Sequence, residues 1–216
     1  MIEQRTDEWH ALRCGKITAS RIADIMRSGR GGKPSASRAR YMGELITERL
    51  TGQPTPSFKS NDMQWGNDTE AEAADAYAFL HGHELETVAF VQHPLISTSG
   101  ASPDRLVGSD GLVEIKCPAS HTHIETLLGA EVANNYILQM QWQMDCTGRK
   151  WCDFVSYDPR MPVHMRMYVD RYMRDDTLIA EIRKAVTVFE AELSETIGRL
   201  AARYPSEDLQ SVEAAE

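Results

Sequence analysis

The longest regular pattern of apolar positions lies near the C-terminus. Between Asp175 and Tyr204, Leu178, Ile182, Val186, Phe189, Leu193, Ile197 and Leu200 recur at three- and four-residue steps. That spacing gathers side chains on one face of an α-helix. The same pattern predicts a helix over 37–50, where Tyr41, Leu45, Ile46 and Leu50 form a stripe and Gly52 offers a C-cap. A short helix is expected over 6–12, with Thr6 as N-cap, and a second begins at Ser20. A further helix starts near Asn67, Asp68 or Thr69 and ends at Gly82, with Ala73, Tyr77 and Leu80 as its stripe. Over 134–146 a helix carries Gln139, Gln141 and Gln143; the first and last share a face and Gln141 points elsewhere.

Strand-like segments fall at 84–92, 95–99, 151–157 and 163–169, the last two flanking the turn Asp158–Pro162. Residues 28–34 and 53–62 read as loops, and 120–131 as loop with a short helix. No repeat and no linker divides the chain. The layout is α+β: a central mixed or antiparallel sheet flanked by helices, closed by the long C-terminal helix. A single domain is expected over 1–204, followed by a disordered acidic tail at 205–216.

The segment between Ser99 and Ala119 adds chemistry to this layout. Leu106 and Val107 end one apolar run, Gly108 to Gly111 is turn-forming, and Leu112 to Lys116 is a second strand. Alternation along that strand puts Glu114 and Lys116 on one side and Ile115 on the other. With Asp104 on the partner strand, two carboxylates and an amine face a common space. Such oxygen donors suit a hard cation such as Mg2+, and Lys116 is placed to orient or deprotonate a water, or to balance charge. The same residues also suit an ordinary solvated strand face.

Composition narrows the class. The chain has 216 residues, 42% hydrophobic and 25% charged, as in globular domains. No apolar run is long enough to cross a bilayer, and the first ten residues are polar, so a cytoplasmic protein without a membrane is expected. Cys14, Cys117, Cys146 and Cys152 contain no C-x-x-C pair, which favours reduced, mostly buried thiols over a zinc or redox site. Net charge is −9, yet residues 1–60 carry eleven Lys/Arg against six Asp/Glu. That local excess fits either one nucleic-acid face or a set of solvated helix faces. Arg13 followed by Ser20 suits a phosphate at a helix start, or equally a surface charge and a simple cap. His81 and His83 show no metal-pair spacing and read as surface or loop residues, while His121 and His123 are expected to face substrate or solvent.

Six blocks in order then carry a resemblance: W-H-A-L-R-C-G-K-I-T-A-S (9–20), W-G-N-D-T-E (65–70), S-P-D-R-L (102–106), L-V-E-I-K-C-P (112–118), Y-I-L-Q-M-Q (136–141) and Y-D-P-R-M (157–161). The chain resembles the phage lambda-type recombination exonucleases, the alkaline exonuclease branch of the PD-(D/E)xK superfamily, over about residues 5 to 200. The resemblance implies a restriction-endonuclease-like core and a Mg2+-dependent 5′→3′ exonuclease. Its substrate would be linear duplex DNA ends carrying a 5′-phosphate, and it would release 5′-mononucleotides and leave 3′ overhangs for strand annealing. It implies two Mg2+ ions with Mn2+ as a substitute, a homotrimer, and a single-strand annealing protein as partner. By the same resemblance Asp104, Glu114 and the carbonyl of Ile115 hold metal, Lys116 is the catalytic lysine, and Glu70 and Gln139 stand beside the centre. Arg13, Ser20 and Ser102 fall where a 5′-phosphate is held, Arg30 on a DNA-contacting loop, and Met63 where strands separate. Some relatives have Tyr where this chain has Gln143, so the resemblance gives Gln143 no role. The alternatives are another nuclease of the superfamily, endonuclease or iron–sulfur exonuclease, and an inactive DNA-end binder. The four cysteines lack the cluster spacing, and the intact Asp104, Glu114 and Lys116 weigh against an inactive binder.

Overall fold

In the computed structural model, residues 2–29, 31, 33–56 and 60–205 are described. Seven helices come in order as α1 (Asp7–Arg13), α2 (Ile22–Met26), α3 (Ala36–Thr51), α4 (Asn61–His81), α5 (Ser120–Leu127), α6 (Asn134–Thr147) and α7 (Asp176–Arg203). Eight strands are β1 (Ile17–Thr18), β2 (Leu85–Glu86), β3 (Val91–Gln92), β4 (Ser99–Ala101), β5 (Arg105–Val107), β6 (Gly111–Lys116), β7 (Trp151–Tyr157) and β8 (Met167–Met173). Five form a mixed sheet in the order β2-β5-β6-β7-β8, and three a small sheet in the order β1-β4-β3. In the larger sheet only β6 and β7 run parallel, in register from Gly111↔Trp151 to Lys116↔Ser156. A parallel pair needs a crossover connection, and α5 and α6 fill that stretch of chain.

Helices cover both faces of this sheet. On one, Ala73, Ala74 and Tyr77 of α4 pack against Val113, Ile115 and Val155. On the other, Met140 and Met144 of α6 pack against Leu112, Cys152 and Phe154. The alternation along β6 therefore points Val113 and Ile115 at α4, and Leu112 and Glu114 at α6. A third cluster joins α2, α3, α6 and α7 through Ile22, Tyr41, Leu45, Trp142, Ile182, Phe189 and Leu193. At the start of β6, a Cβ on Gly111 would lie 2.1 Å from the Trp151 ring. Only glycine lets β7 place its indole there. No helix among the described residues is long and apolar enough to cross a membrane.

Thr6 caps α1, accepting from the N–H of Trp9, as expected. Other boundaries differ, each for a local reason. Helix α4 starts at Asn61, capped by Ser60, rather than at 67–69. Glu70 is therefore beyond the first turn, where the helix dipole could explain it. Leu80, expected in the α4 stripe, is exposed. Ser20 caps nothing: it lies inside a 3₁₀ turn, Ala19–Arg21, that precedes α2. The segment 84–92 is two strands in different sheets, because the carbonyls between them bond to side chains. Gln4 Nε2 donates to Val88 O at 2.8 Å, and Trp9 Nε1 and Ser102 Oγ donate to Ala89 O at 2.8 and 2.6 Å. Residues 95–98 are a turn rather than a strand, and β4 begins only at Ser99, since His93 Nδ1 accepts the N–H groups of Leu95 and Ile96. The strand expected at 163–169 begins at Met167; Val163–Met165 is a 3₁₀ turn behind Pro162. The stretch 206–216 of the expected tail lies outside the described residues.

Asp145 near the end of α6 is buried and holds three partners from different elements. His93 Nε2 lies 2.9 Å from Oδ2, Arg183 Nε donates to Oδ2 at 2.6 Å, and Arg174 Nη2 donates to Oδ1 at 2.9 Å. Burial alone would raise its pKa, but these three donors hold the carboxyl well below its ordinary range. Asp145→Ala leaves them without their acceptor and is expected to destabilise the fold by about 3 kcal/mol. The urea midpoint should fall with the slope unchanged; an unmoved midpoint would refute the role.

Candidate active site

Glu114 is fully buried in the middle of the sheet. A carboxylate there needs donors for its oxygens, and three reach it. Lys116 Nζ, two residues along β6, and Gln139 Nε2 at 2.7 Å both donate to Oε1. Gln143 Nε2 donates to Oε2 at 2.6 Å. Gln139 and Gln143 share the face of α6 turned to β6, while Gln141 donates to Met173 O and accepts from Asp175 N–H. The expected division of the three glutamines therefore holds. Gln143, to which the resemblance gives no role, touches the same carboxylate as Gln139. The signal was its four-residue spacing from Gln139.

Asp104 precedes β5, and its Oδ2 accepts the N–H of Ile115 at 2.7 Å. Burial and the charge of Glu114 lift the Asp104 carboxyl well above its ordinary range. Burial would lower the Lys116 pKa, but Glu114 and Asp104 outweigh it, so the amine is held firmly as a cation. Two carboxylates in one place with a single ammonium lack positive charge, which a hard cation would supply. Among the described residues no three His, Cys, Asp or Glu side chains converge on one point. A cation here would draw on the two carboxylates, main-chain oxygen and water. Mg2+ is commonly bound that way, through one or two carboxylates with several waters kept, so the donor set fits it.

Glu70 reaches the same region from α4 and acts on the charge balance at Asp104. Its carboxylate is engaged by Arg5 Nη2 and, at 3.3 Å, by Arg105 Nη1. Arg5 takes a left-handed backbone, φ 72°, uncommon for a residue with a side chain. Sequence reasoning assigned neither arginine; an S-P-D-R-L block with a cation after Asp104 was the available signal.

On the upstream side, Arg13 Nη1 donates to Ser102 Oγ at 3.0 Å and its guanidinium stacks 4.1 Å from the Trp9 ring. Ser102 thus joins Arg13 two residues before Asp104. The cleft beside them, about 390 Å³, is lined by Arg13, Lys16, Ser20, Arg21 and Met63, with Glu44 and Glu48 also on its wall. Ser20 therefore comes near Arg13 through the 3₁₀ turn, and half-exposed Met63 through the first turn of α4. Burial pulls Arg13 down to about 10, a shift that Tyr41 and Glu48 offset only in part. Among the described residues Arg13 has no carboxylate partner, so an anion in the cleft would restore the charged form's solvation. Arg30 lies outside the described residues. His123 is not turned to a substrate: it is buried between Ser156 Oγ and Met165 O. All four cysteines are free, with burial pushing each thiol's pKa up, as reduced, inert thiols require.

The same arrangement of elements recurs in known proteins. LHK-Exo, an alkaline exonuclease from Laribacter hongkongensis, is 48% identical; the match covers 92% of this chain and 97% of that one, with a TM-score of 0.85. The structure of LHK-Exo in complex with dAMP matches with the same figures. A phage related exonuclease from Haemophilus somnus 129PT, 17% identical over 86% of this chain and 96% of its own, shares the fold at a TM-score of 0.65. No curated protein sequence matches. Residues 8–150 match the YqaJ-like viral recombinase domain. With that match and the likeness to LHK-Exo, the chain belongs to the YqaJ-like viral recombinase family, as the six blocks imply.

Proposed function

We propose that this protein is a Mg2+-dependent nuclease that degrades linear duplex DNA from its ends in the 5′→3′ direction, releasing 5′-mononucleotides and leaving 3′ overhangs. The observation that carries this reading is that Ser102, which accepts from Arg13 beside the cleft, stands two residues before Asp104, whose carboxylate accepts from β6 between Glu114 and Lys116. A terminal phosphate in the cleft would put the next phosphodiester at the carboxylates. The likeness to an alkaline exonuclease supports the same chemistry.

In the reaction, water oxygen bonds to the phosphorus of the second nucleotide and the bond to the first nucleotide's O3′ breaks. O3′ takes up a proton, a nucleoside 5′-monophosphate leaves, and the chain keeps a new 5′-phosphate. Mg2+, when bound by Asp104, Glu114 and the Ile115 carbonyl, supplies Lewis-acid charge and a more acidic water. Lys116 stands beside Glu114, where it can donate to the phosphate or orient the attacking water. Gln139 is partly exposed beside Glu114 and can touch the reacting strand. Arg13 and Ser102 receive the new 5′-phosphate and set the register of the next cut. A homotrimeric ring would convert these contacts into long residence on DNA, and an annealing protein would take up the exposed strand.

Linear duplex should be degraded with Mg2+ and spared with EDTA, while closed circular duplex persists. Lys116→Ala and Asp104→Asn should each lose on the order of 10²-fold or more in turnover while remaining folded; near-normal turnover in either would sink the assignment. A 5′-phosphate on linear duplex should speed digestion relative to a 5′-hydroxyl. Arg13→Ala should remove most of that preference, a charge-assisted contact worth roughly 1.5–3 kcal/mol. If the native protein ignores the 5′-phosphate, the cleft has another purpose. Light scattering at micromolar concentration should give a trimeric mass, and a monomer would refute the ring.

A further inference from the structure

We propose that Gln143 is a positioning residue of the catalytic centre, fixing the Glu114 carboxylate for the cation while touching neither the cation nor DNA. The inference rests on the reading of Asp104 and Glu114 as metal ligands. Gln143 is wholly buried on α6, so any influence on the reaction passes through what it holds. What it holds is Glu114 Oε2, at 2.6 Å. Lys116 and Gln139 both take the other oxygen. Terminal torsions of a glutamate side chain are broad, so donors on Oε1 alone leave the plane of the carboxylate free to swing. The contact at Oε2 removes that freedom.

A second observation sets Gln143 apart from a filler of the helix–sheet interface. Among the described residues its Oε1 is buried without a hydrogen-bond partner. A buried acceptor left unmade costs free energy, and the neighbouring interface positions are the apolar Met140 and Met144. A methionine at 143 would fill similar volume without that cost. The amide's contribution is therefore its N–H pair, and that pair is aimed at Glu114. Partners that orient a metal-binding carboxylate typically change metal affinity or activity by about 10–100-fold when removed.

The two glutamines should separate experimentally. Gln139 is partly exposed and can meet substrate, whereas Gln143 cannot. The full chain is titrated with Mn2+ by calorimetry without DNA, as native protein, Gln143→Met, Gln143→Leu and Glu114→Gln. Both Gln143 variants are expected to bind Mn2+ about 10–100-fold more weakly than native protein. The Mg2+ concentration for half-maximal cleavage should rise in step, with turnover recovering at high Mg2+ and KM for duplex ends unchanged. Melting curves report whether each variant folds, and the smaller Leu replaces Met if the longer side chain does not fit. Native Mn2+ affinity and an unmoved Mg2+ requirement in a folded Gln143 variant would overturn the proposal. Mn2+ binding that Glu114→Gln leaves untouched, or that native protein lacks, would instead remove the metal reading on which it stands.

Discussion

A carboxylate at the centre of a sheet is the constraint from which much of this structure follows. Moving a charged group out of water costs several kcal/mol even after relaxation, so Glu114 is tolerable only where donors converge. Lys116 comes from the same strand, and the others must come from the element packed on that face. This fixes the rotation of α6 over β6, since positions 139 and 143 have to face the sheet together. The rest of α6 follows: Gln141 then points at the β8–α7 junction, and Asp145 at His93, Arg174 and Arg183. Gln141, Gln143 and Asp145 are all buried, so the helix is tied by polar groups on several sides.

This is also why the site was legible in part. Glu114 and Lys116 are two residues apart on a strand, and strand alternation alone puts them together. Gln139 and Gln143 are four apart on a helix, and helical geometry puts them on one face. That both glutamines meet the glutamate is a long-range fact with no local trace. The helix α7 was legible because its apolar repeat is long and unbroken. The segment 84–92 was not, because its middle is satisfied by Gln4, Trp9 and Ser102 rather than by a neighbouring strand. Strand β8 was misplaced for a related reason: at the sheet's edge its pattern mixes polar and apolar residues, and Arg171 faces Asp153 across the pair.

The basic first third of the chain takes on a different meaning in three dimensions. Arg38 pairs with Glu192 and Arg49 with Glu190, fastening α3 to α7; Arg21 pairs with Asp24 and Glu44. These largely part-buried pairs use up charge that composition alone would assign to a nucleic-acid face. In the cleft Arg13 rests on Trp9 and Ser102, and Lys16 on Gln92 and the Phe90 ring, instead of on carboxylates.

The N-terminal tether to the sheet has a consequence in time. Gln4 bonds Val88 O and Pro103 O, and Trp9 bonds Ala89 O, across separations of 84, 99 and 80 residues. Glu114 in turn meets glutamines 25 and 29 residues further on. Closing loops of that length is a late event in folding. A chain emerging from the ribosome therefore carries Glu114 and its partners apart from one another, with the first residues made among the last to be seated. The carboxylate, its lysine and its glutamines come together only in the finished fold.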